Sequence, residues 1–160
     1  MAGACLTDRS GLSEFNGLDS VDVLARLIYS EAQGETLEGK RGVYHVVVNR
    51  KAKNLSEFGG NTTLGIATAS GQFAGMNTSN ARCPDTSSSA WRDSLSVAQN
   101  GGANRIGKCL WFNTNSLYRN RTRPASGGGE EYTFDGGASY RKVVEKVPIG
   151  GHTFFRVSGY

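Results

Sequence analysis

The sequence has 160 residues with 38% apolar content, which suits one domain with a real hydrophobic core. Its formal net charge is +4, and no apolar run approaches the roughly 20 residues that cross a bilayer, so a transmembrane helix is excluded. The two histidines form no HExxH pattern, and we therefore expect no metal ion and no cofactor.

The first 18 residues are polar and broken by glycine, which predicts an irregular N-terminal arm over 1–18. The opening MAGACLTDRSGLSEF lacks the charged region and the apolar stretch of a signal peptide. We therefore expect that an export signal was removed from this sequence or that another route carries the protein out of the cytoplasm.

An amphipathic helix is predicted over 21–35, where apolar residues such as Val21 and Leu27 recur at helical spacing. Either Asp19 or Ser20 is placed to cap its first turn. This helix is the most strongly patterned segment of the chain, and it carries the residue from which a function is first argued.

Glu31 is an anomaly in this helix, because it lies four residues after Leu27 and three after Ile28 and so falls on the apolar face. Desolvation there opposes ionisation, and we expect a pKa above the ordinary value of about 4.3. A general acid that works near neutral pH needs such a pKa. The alternatives are a Glu that reaches solvent at a frayed helix end, or a buried Glu paired with Arg26, Arg41 or Arg50.

The next segment predicts a second helix over 37–54, capped by Thr36, although the valine run 46–48 also suits a strand. Residues 58–80 are rich in Gly, Asn, Thr and Ser and predict a long loop with one short helical turn near 63–70. Loops of this length in compact domains are often functional.

A third helix follows, for which Asp85 or Thr86 is the predicted cap. Its apolar side includes Trp91 and Leu95, and the glycine pair that begins at Gly101 ends it.

The last third of the chain predicts a small sheet. The apolar run KCLWFN indicates a strand, and 114–138 predicts a second irregular stretch. Residues 139–147 and 152–157 then form a β-hairpin, with a turn over 148–151. The element order predicts an α+β fold with N-terminal helices packed with a small C-terminal antiparallel β-sheet. We expect a single catalytic domain over 19–160, acting as a monomer.

Three cysteines, Cys5, Cys83 and Cys109, leave an odd count without close spacing. This pattern argues against a disulfide framework and against a CxxC metal site. One bridge, Cys83 to Cys109, is compatible with the sequence.

The densest basic cluster is Arg119, Arg121 and Arg123. Such a cluster suits nucleic acid, an anionic cell-wall polymer or plain solvent. The sequence has no helix-turn-helix or RNA-recognition signature, so we expect no nucleic-acid partner.

Five segments follow one another over 21–156: LARLIYSEAQGE, VVVNR, GQF, LWFN and IGGHTFF. In these motifs the chain resembles the spore cortex-lytic and cell-wall hydrolase family, the SleB-type catalytic domain. The resemblance implies a lysozyme-like enzyme that acts at the cell wall, outside the cytoplasm. Its substrate would be peptidoglycan, cleaved between N-acetylmuramic acid and N-acetylglucosamine, and the family's catalytic Glu matches Glu31.

The resemblance further implies a lytic transglycosylase, a reaction that needs one carboxylic acid. Glu31 would protonate the glycosidic oxygen and then, as carboxylate, take the proton of the muramoyl 6-hydroxyl to close a 1,6-anhydro ring. A hydrolase normally has a second carboxylate about 5 Å away for retention, or about 6.5–9.5 Å away for inversion. Glu35 is the nearest one in sequence and is a candidate substrate-binding residue; the alternative is that it braces the turn into the second helix.

The candidates for the substrate groove come from the same motifs and their neighbours. Aromatic faces stack on sugar rings, while amide and imidazole groups bind hydroxyls and acetamides. The structural alternatives are that Trp111 and Phe73 belong to the core and that Asn113 caps a strand end. Asn49 and Arg50 are expected to brace the fold, with pairing to Glu35. In addition to Glu35, the candidates for the substrate groove are Gln72, Phe73, Trp111, Asn113, Tyr118 and His152.

Three features depart from the family pattern: Ala74 follows GQF, Gly151 replaces a common Asn, and 114–138 is longer. They leave Glu31 in place and leave the substrate open between spore cortex, vegetative and host peptidoglycan, the last of which would suit a phage lysin.

Two other classes of function stay open. The first is an amidase or peptidase of the same polymer, using zinc or pairing Cys83 or Cys109 with His45 or His152. The second is a non-catalytic wall-binding module in which Glu31 is structural.

Overall fold

A computed structural model describes residues 1–7 and 11–160. The chain divides into two compact units, residues 1–104 and residues 105–160. Residues 8–10 belong to the predicted arm and lie outside the described residues. Within the described part, no helix is both long and apolar enough to cross a membrane. The single catalytic domain over 19–160 stays a prediction.

The unit formed by residues 1–104 is helical. Short 3-10 helices cover Gly11–Phe15, Ser56–Phe58 and Ala74–Asn77. The α-helices of this unit are α1 (Ser20–Ala32), α2 (Leu37–Lys53), α3 (Thr63–Ala67), α4 (Ser79–Arg82) and α5 (Ser89–Asn100).

Helix α1 lies at the centre of this unit and contacts α2, α3, α4 and α5. The Asp19 carboxylate accepts a hydrogen bond from the Asp22 N–H at 2.8 Å, so Asp19 is the cap. The helix ends at Ala32, before the predicted end at residue 35. Leu27 and Ile28 are completely buried, as the periodicity predicts.

The second predicted helix is confirmed as α2. The Thr36 hydroxyl accepts from the Gly39 N–H at 3.3 Å, and Asn54 ends the helix in the left-handed conformation. The loop predicted over 58–80 is more regular than expected, because α3 is joined there by a 3-10 helix and by the start of α4.

The predicted cap of the third helix is wrong. Helix α5 starts at Ser89, and the Ser88 hydroxyl accepts from the Trp91 N–H at 3.1 Å. The Asp85 carboxylate instead accepts from the Ser87 N–H at 3.1 Å, which closes a local turn before the helix. The glycine at position 101 ends α5 with φ 68°, as predicted.

The predicted arm is tied to the rest of its unit. Cys5 forms a disulfide with Cys83, so the compatible bridge Cys83 to Cys109 is wrong. The pairing follows from chain proximity, since the Leu6 N–H donates to the Arg82 carbonyl at 2.9 Å. Cys109 is a buried thiol of the other unit.

Arg26 joins the same segments from inside the unit. Its side chain is completely buried, and its Nε lies 2.8 Å from the Asp22 carboxylate. Its guanidinium also donates to the carbonyls of Ala81 and Arg82, at 2.9 and 3.0 Å, and to that of Ala4. These contacts occupy Arg26 with Asp22 and backbone oxygens rather than with Glu31.

The unit formed by residues 105–160 is an antiparallel sheet with one short helix. The strand order is β1-β5-β4-β3-β2. Its elements are β1 (Trp111–Thr114), α6 (Asn115–Asn120), β2 (Thr122–Pro124), β3 (Glu130–Tyr132), β4 (Arg141–Ile149) and β5 (His152–Val157).

The hairpin of β4 and β5 is confirmed. Its turn consists of Gly150 and Gly151 and is shorter than the predicted turn over 148–151. The irregular stretch predicted over 114–138 is wrong, because it contains α6, β2 and β3. The Thr114 hydroxyl caps α6, and three consecutive glycines with positive φ make the turn between β2 and β3. Local turn chemistry thus gives this segment regular structure despite its weak apolar pattern.

Removal of the Cys5–Cys83 bridge should destabilise the helical unit. The bridge links residues 78 positions apart, and a Cys5→Ser variant should lose about 2–4 kcal/mol of unfolding free energy. Urea denaturation followed by circular dichroism measures this loss. Reductant should lower the stability of the wild type to that of the variant and leave the variant unchanged; equal stabilities without reductant would contradict the assignment.

Candidate active site

Glu31 lies in the last turn of α1, one turn beyond the buried residues Leu27 and Ile28. Its side chain is half-buried. The helix therefore carries the carboxyl group at the margin of the apolar face, where the sequence pattern predicts it.

One oxygen of this carboxyl group is held by backbone. The Gly75 N–H donates to Glu31 Oε1 at 3.0 Å, from the 3-10 helix Ala74–Asn77. Gly75 approaches α1 so closely that a Cβ there would lie 2.6 Å from Ser30 Oγ and 3.1 Å from the Ser30 carbonyl carbon. A glycine is required for this approach, and hence for the hydrogen bond to Glu31.

The pKa of Glu31 is raised above its ordinary value. Burial is the largest cause, and it is partly offset by the Gly75 N–H bond and by the positive charge of Arg50. The raised pKa confirms the expectation from the sequence, and its direction is the one that a carboxyl general acid requires.

Arg50, on α2, is the cation that faces Glu31. It is only 3% exposed, and its guanidinium lies between two aromatic rings, 4.6 Å from the centre of Phe58 and 4.8 Å from that of Phe73. Burial lowers the pKa of Arg50 to about 10, against the opposing effects of Glu57 and Glu31. Arg50 therefore stays charged at neutral pH inside an aromatic clamp.

Gln72 is fixed by the same cation. Arg50 Nη1 donates to the Gln72 amide oxygen at 3.0 Å, and the Gln72 side chain is half-buried. The amide oxygen is thereby used within the protein, which leaves the NH₂ group to donate to a ligand. Phe73, by contrast, is 4% exposed and packs on Arg50, as its structural alternative proposed.

Glu35 lies between α1 and α2 and packs on the first turn of α2. A Cβ at Gly39 would lie 2.9 Å from the Glu35 Cβ, and Lys40 Nζ donates to the backbone carbonyls of Gln33 and Glu35. Burial lowers the pKa of Lys40, and the negative charge of Glu35 partly opposes that shift. These contacts favour a bracing role. Glu57 and Glu31 are the charges that raise the pKa of Arg50, and the pairing of Arg50 with Glu35 stays a prediction.

The candidates in residues 105–160 do not form one surface. Trp111 and Asn113 share a face of β1 with Phe155, whereas His152 pairs with Thr114 on the opposite face. The rings of Phe112 and Phe154 lie edge-on to His152, at 5.1 and 6.2 Å.

The other three candidates also contact residues inside their own unit. Tyr118 is 2% exposed, belongs to the core cluster, and donates from its hydroxyl to Glu130 at 2.8 Å. The amide nitrogen of Asn113 donates to the Tyr132 hydroxyl. Trp111 is half-buried, with Phe134 and Tyr160 beside it.

The geometry gives little support to a cysteine or metal centre. Cys83 is in a disulfide, and burial raises the pKa of the Cys109 thiol to about 12. Among residues 1–7 and 11–160, no group of three or more His, Cys, Asp or Glu is placed to hold a metal ion.

Sequence reasoning missed Gly75, Glu57 and Phe58. Each contributes through a tertiary contact to Glu31 or Arg50, at 26 or more positions from Glu31 in the chain, and no local pattern marks it. The signal that was available is the position of Gly75 just after GQF, one of the motifs that carry the resemblance.

A Gly75→Ala variant tests whether the backbone N–H tunes Glu31. The added methyl should push the 3-10 helix away from Ser30, lower the unfolding free energy by about 1–3 kcal/mol, and raise the pKa of Glu31 further. A ¹³C NMR titration of the Glu31 carboxyl measures the pKa.

The matched control is Gly34→Ala, because a Cβ at Gly34 meets nothing within 4 Å. The control should keep the wild-type titration. An unchanged titration in Gly75→Ala would show that the N–H does not set the charge state of Glu31.

Comparison with known proteins now adds to this geometry. A family model described as Cell Wall Hydrolase matches residues 34–133, more than half of the chain. Glu31 lies three residues before the matched range, and His152 lies after it. No curated protein matches the chain.

Two solved structures resemble the fold. One is the catalytic domain of the germination-specific lytic transglycosylase SleB from Bacillus anthracis, 19% identical, with a TM-score of 0.54; the match covers 88% of this chain and 98% of that chain. The other is the catalytic domain of the Bacillus cereus SleB protein, 20% identical, with a TM-score of 0.55; it covers 88% and 94%. The α+β fold class is thereby confirmed, and by its sequence match and its fold this chain belongs to the cell wall hydrolase family.

Proposed function

We propose that the protein is a peptidoglycan lytic transglycosylase, with Glu31 as its single general acid and base. Membership of the cell wall hydrolase family supports degradation of peptidoglycan and action at the cell wall. The observation that carries the finer proposal is the environment of Glu31: half-buried, with a raised pKa, and with one carboxyl oxygen already held by a backbone N–H.

The two carboxyl oxygens have different tasks in this proposal. Oε1 accepts from the Gly75 N–H, so the acidic proton is held on Oε2. Transfer of that proton to the glycosidic oxygen breaks the bond to C1 of the muramoyl residue, and the N-acetylglucosamine leaves as an alcohol. Positive charge develops at C1, beside the carboxylate that has just formed.

The carboxylate then completes the reaction as a base. It removes the proton from the muramoyl 6-hydroxyl, and the oxygen of that hydroxyl bonds to C1. The product is 1,6-anhydromuramic acid; no water is consumed, and Glu31 returns to its protonated form. Arg50 favours the carboxylate that exists between the two steps, while burial favours the acid at either end.

The substrate contacts stay predictions. The NH₂ group of Gln72 has the chemistry to donate to an acetamide or hydroxyl, since its amide oxygen is used by Arg50. Trp111 and Asn113 share one strand face and could contact one sugar together. Action as a monomer, and the choice among spore cortex, vegetative and host peptidoglycan, also stay predictions.

A two-carboxylate hydrolase is the second candidate. The observation in its favour is that Glu57 and Glu31 both act on the charge of Arg50, which places a second carboxylate in the same environment. Such an enzyme would add water at C1 and leave a reducing end.

Mass spectrometry of the fragments released from purified peptidoglycan tests this proposal. Wild type should release muropeptides that end in 1,6-anhydromuramic acid, and Glu31→Gln should lower their rate of release at least about a thousandfold, because it removes the only transferable proton. Glu38→Gln, at an exposed position of α2, is the matched control and should behave as wild type.

Products 18 Da heavier, lost in Glu31→Gln and in Glu57→Gln, would instead establish the hydrolase. The same anhydro products at wild-type rate from Glu31→Gln would show that Glu31 is structural.

A further inference from the structure

Three aromatic side chains meet at the surface of the unit formed by residues 105–160. The Trp111 ring lies 5.0 Å from that of Phe134 and 4.8 Å from that of Tyr160. Phe134 is 47% exposed, and the other two rings are partly exposed. Scattered apolar residues are ordinary on a protein surface, but a cluster of aromatic rings that remains in contact with water indicates a binding surface.

The cluster rests on a rigid base. The Trp111 ring stacks on the ring of Phe155, with 5.9 Å between their centres. The Phe134 ring packs on that of Tyr132, with 4.6 Å between their centres. Phe155 and Tyr132 are core residues with at most 1% exposure. The three surface rings are therefore held in place from below.

The loop that carries Phe134 is also held firmly. The Asp135 carboxylate accepts from the Ser139 N–H at 2.8 Å, from the Ser139 hydroxyl at 2.6 Å and from the Thr133 hydroxyl at 2.9 Å. These bonds hold the pKa of Asp135 at about 2, so the carboxylate stays charged and the turn stays closed at neutral pH. The protein thus fixes an exposed Phe beside Trp111 instead of leaving it on a loose loop.

The charge around the cluster indicates which ligand it suits. Residues 105–160 contain nine Lys and Arg but four Asp and Glu, so this unit carries the positive charge of the whole chain. The Arg141 guanidinium lies 5.6 Å from the centre of the Tyr160 ring, at the edge of the cluster, and its side chain is exposed. Flat apolar rings beside an exposed cation match a sugar ring that bears a carboxylate nearby.

We propose that Phe134, Trp111 and Tyr160 form a stacking surface for a sugar ring of the glycan strand, with Arg141 placed to bind a carboxylate of the lactyl group or stem peptide. The inference depends on the proposed action on peptidoglycan and extends it, because Phe134 and Tyr160 lie outside the five motifs that carry the family resemblance. Phe134 belongs to the end of the segment that is longer here than in the family.

Binding of the neutral N-acetylglucosamine tetramer, measured by calorimetry, tests the stacking surface. Phe134→Ala should weaken binding about tenfold, and Phe134→Trp should keep it. Val144→Ala is the matched control, since Val144 is an apolar residue of β4 that is also 47% exposed, and it should bind as wild type. Each variant should keep the wild-type melting temperature within a few degrees, since both side chains are exposed.

Binding of an anionic disaccharide–tetrapeptide muropeptide tests the cation. Arg141→Gln should weaken this binding while leaving the neutral tetramer unaffected. Unchanged binding of the tetramer by Phe134→Ala, or no binding of it by wild type, would overturn the stacking surface. Equal muropeptide binding by wild type and Arg141→Gln would overturn the role of Arg141.

Failure here is distinguishable from failure of the proposed function. If wild type still releases anhydromuropeptides while Phe134→Ala binds normally, only the stacking surface is wrong. If wild type binds the tetramer through Phe134 but releases no fragments, the stacking surface stands and the transglycosylase proposal falls.

Discussion

The burial of the Glu31 carboxyl at the end of α1 is the constraint on which the candidate site depends. Burial of this carboxyl group opposes its ionisation and raises its pKa. Two features of the same unit, the Gly75 N–H and the Arg50 charge, partly offset this shift. Both features impose requirements of their own. Gly75 must lie against Ser30 without a side chain, and Arg50 must be buried with enough partners to stay charged.

Several contacts meet this requirement of Arg50 together. Its guanidinium packs on the rings of Phe58 and Phe73, the Gln72 amide oxygen accepts from one nitrogen, and Glu57 and Glu31 supply negative charge. The positive charge of Arg50 favours the ionised form of Glu31, but the pKa of Glu31 stays raised. This balance suits the proposed role of Glu31, in which the carboxyl group gives up a proton and takes one back. Gln72 and Phe73 of the GQF motif thus contact Arg50, and Arg50 in turn affects the pKa of Glu31.

This arrangement has a consequence for stability. The folded protein binds the Glu31 proton more tightly than the unfolded chain does, because the pKa of Glu31 is raised on folding. The stabilising contribution is therefore complete below the unfolded pKa and is lost as the pH rises through the folded pKa. Above the folded pKa the ionised Glu31 carboxyl is a local source of instability, in a unit that the Cys5–Cys83 bridge and the buried Arg26 contacts stabilise.

Local patterns predicted the parts of the structure that local physics decides. The 3.6-residue period placed Glu31 on the apolar side of α1, Thr36 marked the start of α2, and the β-rich run after Gly151 marked β5. The errors have a common cause in interactions that a sequence window does not contain. Asp85 is a good cap by type but is bonded to Ser87, and Cys5 lies beside Cys83 because the N-terminal segment packs against the end of α4.

The site follows the same division. The position of the Glu31 carboxyl and the direction of its pKa shift were predictable, whereas the effects of Gly75 and Arg50 on it depend on approaches between segments far apart in sequence. For the candidates in β1 and β5, the strand register determines which face of the sheet each side chain lies on. Pairing with Thr114 places His152 on the face opposite Trp111 and Asn113.

The measurement that tests the central claim most directly is the pH dependence of kcat/KM on solubilised glycan strands. If protonated Glu31 is the working form, kcat/KM should fall tenfold per pH unit above an apparent pKa equal to that of the Glu31 carboxyl measured in the free protein. A rate that stays level through the Glu31 pKa, and declines only where Lys or Tyr side chains titrate, would show that another group donates the proton.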